Sequence, residues 1–280
     1  MNTLFGQTFI SIFGGLLNIF IIAALAALLT RWKIVTQQMI DGLSRLVVVI
    51  FLPFLIFHTI TQEFDPSVQS YWWTIPIAAI SLSSLGIFIS YFLFYKKTAE
   101  KKYLFPLASM QNAAYLILPI GEFVYNDQFE EFALICFLVV LGLSPFMWTI
   151  GKLLLTRDKT KCPGIKKILT PPFIANILSL FLVLSGLSPH IPGFVVDATG
   201  FLGNATVPLA TFILGATLAI SLSNIPPFVD TIRVLGVKFL FLPIITILAL
   251  NFFDTSQTFP LLADVLVIQS ASAPATAHIL

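Results

Sequence analysis

Residues 111–123 read QNAAYLILPIGEF, and residues 269–277 read QSASAPATA. Each stretch sets amides and hydroxyls just ahead of a proline, inside a long apolar run. Proline lacks an N–H and clashes with the carbonyl four residues back, so Pro119 is expected to free the carbonyl of Tyr115 and Pro274 that of Ser270. The residue before each proline is also pushed away from helical geometry. An unpaired carbonyl in hydrocarbon is costly, so such a break persists only where protein, water or a solute satisfies it. Ser109, Gln111, Asn112 and Tyr115 gather before the first proline; Gln269, Ser270 and Ser272 gather before the second. The two stretches read as a matched pair of broken membrane helices.

The rest of the chain supplies the membrane. Of its 280 residues, 58% are hydrophobic and only 10% charged, with a mean hydropathy of +0.97. A soluble domain of this size needs more charge to cover its surface, so the composition gives a polytopic membrane protein. Apolar runs predict nine spans: Phe9 to Leu29, Met39 to Ile60, Tyr71 to Tyr95, Leu104 to Val124, Phe132 to Leu155, Pro171 to Leu187, Phe194 to Leu222, Phe228 to Phe253 and Phe259 to Leu280. The first has no Lys or Arg before it and reads as a retained helix, not a signal peptide. Arg31 and Lys33, then Lys96, Lys97, Lys101 and Lys102, then Arg157, Lys159, Lys161, Lys166 and Lys167 follow the odd-numbered spans. Glu63 and Asp65, then Asp127, Glu130 and Glu131 follow the even-numbered ones. The positive-inside rule therefore puts the basic loops in the cytoplasm and the N-terminus outside.

The prolines carry a repeat. Pro53 and Pro208 are 155 positions apart, and so are Pro119 and Pro274. The offset divides the chain into a first half of five spans (1–155), a basic cytoplasmic linker (156–170) and a second half (171–280). Five is odd, so the halves insert with opposite orientation. The expected fold is all-α and polytopic, an inverted five-plus-five repeat with spans four and nine broken. Such repeats belong to secondary transporters, which hold their solute near the bilayer midplane. The second half shows four spans, so a tenth is expected beyond Leu280.

With span four running outward and span nine inward, the half-helices beginning at Pro119 and Pro274 both present N-terminal ends toward the membrane centre. Those ends favour a carboxylate, so the expected solute is a small organic anion. Lys238, in VLGVKFLFLPI, lies mid-span; it is expected to bond freed carbonyls of a broken helix or to add positive potential, with snorkelling as the bland alternative. Asp41 and Arg45, four apart, are expected to pair. Glu122 and Asp264 are candidates for a coupling proton. His58 and His278 are too isolated for a metal site, and Cys136 and Cys162 form no disulfide framework. No nucleotide-binding loop, paired catalytic carboxylates or nucleophile–base pair is present. No enzyme, cofactor, metal or nucleic-acid partner is expected.

The sequence resembles the auxin efflux carrier family, which includes plant PIN-type carriers and bacterial permeases often described as malonate or malate transporters. The likeness lies in QNAAYLILPIGEF, TPPFIANILSLFLVLSGLSPHIP, LGNATVPLATFILGATLA, VKFLFLP and QSASAPATA, in the expected order over nearly the whole chain. It implies ten spans, crossing at the broken centres of spans four and nine, and a site beside the cross. Carried over onto this chain, the resemblance marks Asn112, Tyr115, Pro119, Ser270, Ser272 and Pro274; with Gln269 from the polar run these are the expected substrate-binding residues, and Lys238 is the expected charge support. Ala114 and Ile117 stand where family members often have glycine. The implied function is a permease or efflux carrier for mono- or dicarboxylates in the plasma membrane, working by alternating access. A homodimer is common in the family. The alternatives are a sodium-coupled symporter of the bile acid type, and a truncated product or receptor that moves no solute.

Overall fold

The computed structural model describes residues 2–94, 101, 103–114, 116–155, 168–221 and 228–273. Among them the secondary structure is helical throughout, with no strand. In chain order the α-helices are α1 (Asn2–Arg31), α2 (Gln37–Leu46), α3 (Leu52–Glu63), α4 (Thr74–Leu93), α5 (Leu104–Ser109), α6 (Ile117–Val124), α7 (Phe129–Phe146) and α8 (Lys152–Leu155). Then follow α9 (Pro171–Leu184), α10 (Gly193–Gly203), α11 (Thr206–Ser221), α12 (Phe228–Gly236), α13 (Leu242–Phe252), α14 (Thr255–Thr258) and α15 (Pro260–Ser270). Among the described residues, six helical stretches are long and apolar enough to cross a membrane: Phe13–Arg31, Gln37–Glu63, Thr74–Leu93, Asn126–Leu154, Gly193–Ile220 and Phe228–Phe252. Each coincides with an expected span. Of the other three expected spans, two are the shorter apolar helices α9 and α15, and one is the broken pair α5 and α6.

Two of the long stretches solve the proline problem in the same way. Pro53 and Pro243 each occupy the first turn of a helix, α3 and α13. Each follows a π-helical turn, Val47–Phe51 or Val237–Phe241. Leu52 donates its N–H to the carbonyl of Val47, and Leu242 donates to that of Val237, both five residues back. Widening the turn lets the helix continue past a residue that cannot donate.

The chain divides into two compact units. The first comprises residues 1–64, 115–134 and 178–225. Within it α1 packs along α11, α3 along α10, and α6 against α1. Ala26, Val35, Ile40, Val47, Ile213 and Ala216 form a buried apolar cluster here. A Cβ on Gly215 would stand 2.3 Å from the Ala23 carbonyl oxygen, so α1 and α11 meet backbone to backbone, as small residues permit in membranes. Asp41 accepts a hydrogen bond from Gln37 Nε2 at 2.7 Å. The expected ion pair with Arg45 does not form; Gln37, one turn earlier on the same face, takes the carboxylate instead.

The second unit comprises residues 65–114, 135–177 and 226–280. Its loop into α4 is held by Asp65, which accepts from Ser67 Oγ at 2.6 Å and from the Ser67 N–H at 2.8 Å. These bonds, the hydroxyl's first, lower the Asp65 pKa. Helix α4 packs on α5, and α13 packs on α15. Phe94, Leu104 and Phe105 close one end of the α4–α5 contact.

Candidate functional site

Of the polar residues that the sequence set before Pro119, Gln111 and Asn112 lie in the break itself. Helix α5 ends at Ser109, and Met110 turns extended with φ −88° and ψ 132°. Helical geometry resumes at Ile117, so Pro119 sits in the first turn of α6. There its missing N–H has no helical partner to lose and its fixed φ suits the helix. The proline therefore marks where the second half-helix begins and is not where the first one fails. Pro119 is buried in the first unit. Tyr115 and Pro274, the other residues tied to these breaks, lie outside the described residues.

A helix end leaves its last carbonyls without intrahelical partners. The Phe105 carbonyl accepts from Ser109 Oγ at 2.7 Å, and the Pro106 carbonyl accepts from the Met110 N–H at 2.9 Å. The carbonyl of Met110 accepts from Lys238 Nζ. Lys238 lies in the π turn Val237–Phe241 and is 1% exposed. Its ammonium therefore does not snorkel to an interface; it caps the broken helix from inside the unit.

The second broken stretch meets the first here. Helix α15 ends at Ser270. The Asn112 N–H donates to both Ser272 Oγ and the Ala273 carbonyl, each at 3.0 Å. Gln269 Nε2 donates to the Ala113 carbonyl at 3.3 Å and reaches Cys136 Sγ at 3.8 Å. Asn112 Oδ1 accepts from the Ala114 N–H at 3.4 Å. Residues 110–114 and 269–273 are thus laced together within one unit. Ser270 is turned away, because its hydroxyl donates to the Val267 carbonyl on its own helix at 2.6 Å.

Three participants were missed in the sequence. Ser83, on α4, donates to Gln111 Oε1 at 2.9 Å, and both side chains are buried. Cys136 is buried on α7 against Gln269. Gln111 was read only as part of a polar run. The serines of ISLSSLG in the third span were a faint signal for Ser83; nothing local marked Cys136.

Gly86, one turn after Ser83, positions the break. A Cβ there would stand 2.7 Å from Ser109 Cβ and 2.8 Å from Ser109 Cα. Backbone would have to move at the last residue of α5. Gly86→Ala should therefore cost about 1–3 kcal/mol by overpacking and displace Met110 and Asn112. A thermal melt of the purified protein should show the loss. An unchanged melting temperature would mean that α4 and α5 tolerate separation.

The family model described as "Membrane transport protein" matches residues 11–162 and 155–280. An uncharacterized transporter of Methanocaldococcus jannaschii is 26% identical over 187 residues, which cover 63% of this chain and 59% of that protein. The chain thus spans somewhat over half the length of the curated relative it matches. With its apolar spanning helices it is an integral, multi-pass membrane protein, and it belongs to this membrane transport protein family, the auxin efflux carriers and their relatives.

Proposed function

We propose that the protein is a secondary carrier for a small organic anion, a mono- or dicarboxylate, and that it works by alternating access at the two broken helices. The observation that carries this reading is the junction of residues 110–114 with residues 269–273, bonded through Asn112 and Gln269 beside a buried lysine. Non-helical backbone at membrane depth is tolerated where it lines a solute path or is buried in protein. An intramembrane lysine is by default functional. Here it brings positive charge to the irregular backbone that follows α5. Asn112, Gln269 and Ser272 are the proposed solute-binding residues, with Ser270 ending α15 and Lys238 supplying charge.

The inverted repeat belongs to the same reading. Pro53 pairs with Pro208 and Pro119 with Pro274 at one offset. Each compact unit draws helices from both 1–155 and 171–280: α1 to α3 and α6 with α10 and α11 in one, α4 and α5 with α12 to α15 in the other. The basic loops place the N-terminus outside and the linker 156–170 in the cytoplasm.

The test is uptake into proteoliposomes of labelled malonate, malate and an indole carboxylate, with and without a sodium gradient. Saturable, sodium-independent uptake is expected. Asn112→Ala should reduce it at least about tenfold, since the Oδ1 that orders the Ala114 N–H is lost and the broken backbone loosens. Strict dependence on sodium would move the protein to the sodium-coupled class. No uptake of any carboxylate would overturn the carrier reading.

A further inference from the structure

Two amide side chains at this junction are each only half satisfied. Gln111 is 1% exposed; its Oε1 accepts from Ser83 Oγ, and its Nε2 is buried without a partner. Gln269 is also 1% exposed; its Nε2 donates to the Ala113 carbonyl, and its Oε1 is buried without a partner. A carbonyl can only accept, so the Gln269 nitrogen must face Ala113 and its oxygen is the atom left over. Buried polar atoms of this kind need a partner, whether water, an ion or a solute. The leftovers differ: one is a donor and the other an acceptor. Both sit on the same bonded junction, for Gln111 lies between Met110, capped by Lys238, and Asn112, while Gln269 grips Ala113.

A plain carboxylate is acceptor-only. It can take the Gln111 donor and the field of Lys238, but it leaves Gln269 Oε1 buried and unpaired. A carboxylate with a hydroxyl beside it satisfies both atoms: the carboxylate accepts from Gln111 and the hydroxyl donates to Gln269. Resting on the carrier reading above, we infer that the site selects hydroxy-carboxylates over their unsubstituted counterparts, with Gln111 as carboxylate donor and Gln269 as hydroxyl acceptor. Sites built to bond a substrate hydroxyl discriminate against its absence far more strongly than sites that merely lack a methylene.

Ligand-induced thermal shifts of the purified protein, titrated with size-matched pairs, test this without interference from membrane permeation. The pairs are lactate against propionate and malate against succinate. In whichever pair binds, the hydroxy acid should show an apparent Kd at least about tenfold lower. Gln269→Met should abolish that preference by weakening the hydroxy acid alone, whereas Gln111→Met should weaken both members and keep the preference. Equal affinities within each pair for the unaltered protein would overturn the inference and leave the carrier reading standing. If none of the four acids shifts the melt, the small-carboxylate reading fails and takes this inference with it.

Discussion

Lys238→Met protein should lose most of its uptake, at least about tenfold, while its melting temperature holds or rises. Two opposing terms set the stability. The ammonium is nearly fully buried, and removing a charge of that size from water costs several kcal/mol even after relaxation. Methionine of similar length does not carry that cost. Against this, the Met110 carbonyl loses its donor, and an orphaned buried carbonyl costs about 1–3 kcal/mol. The charge term is the larger, so the replacement is not expected to destabilise. Function runs the other way. The end of α5 loses its Lys238 cap, and the positive charge that Lys238 holds beside the broken stretch is gone. Lys238→Arg should recover only part of the uptake, because a planar fork does not fit where a single ammonium bonds one carbonyl. Full uptake by the methionine variant would remove Lys238 from the site.

The second large effect is expected at an ion pair on the same unit. Lys101 Nζ lies 2.5 Å from Asp230 Oδ2, with side-chain exposures of 21% and 8%. Lys101→Ala would leave a nearly buried carboxylate without its counter-charge. Breaking a buried pair from one side costs about 3–5 kcal/mol. Two features lower the figure here: Lys101 is partly exposed, and Asp230 lies in the first turn of α12, where the helix end favours negative charge. A loss of about 2–3 kcal/mol is the expected result, read as a fall in melting temperature. Asp230→Asn combined with Lys101→Ala should regain much of it, since the amide needs no counter-charge. If the double variant melts no higher than Lys101→Ala alone, the lysine stabilises by packing and not by charge.

Class, the six long apolar helices and the break after α5 were legible in the chain because each rests on neighbouring residues. Hydropathy over about 20 residues reports a span, and a proline reports that its helix lacks a donor. Gln111, Asn112 and Gln269 were visible as polar residues in apolar surroundings, and Lys238 as a charge at membrane depth. The exact start of the break was not. Pro119 pointed to itself, whereas helical geometry fails at Met110, because a proline in a first turn is compatible with the helix it opens.

What only the tertiary structure decided is which groups satisfy one another. Lys238 bonds the Met110 carbonyl across 128 positions. Gln269 bonds Ala113 across 156, and Lys101 meets Asp230 across 129. Asp41, by contrast, was assigned to Arg45 by spacing and is held by Gln37. Nothing within a helical turn distinguishes these partners. A freed carbonyl must be paired somewhere in a medium without water, and the chain states that need locally. The donor that meets it is chosen by which helices pack together, and that depends on small residues such as Gly86, where α4 closes on the end of α5. The sequence alone determined that this protein is a membrane protein with polar residues set before Pro119 and Pro274; the packing of α4, α5, α13 and α15 determined that residues 110–114 meet residues 269–273, and left one donor and one acceptor there unpaired.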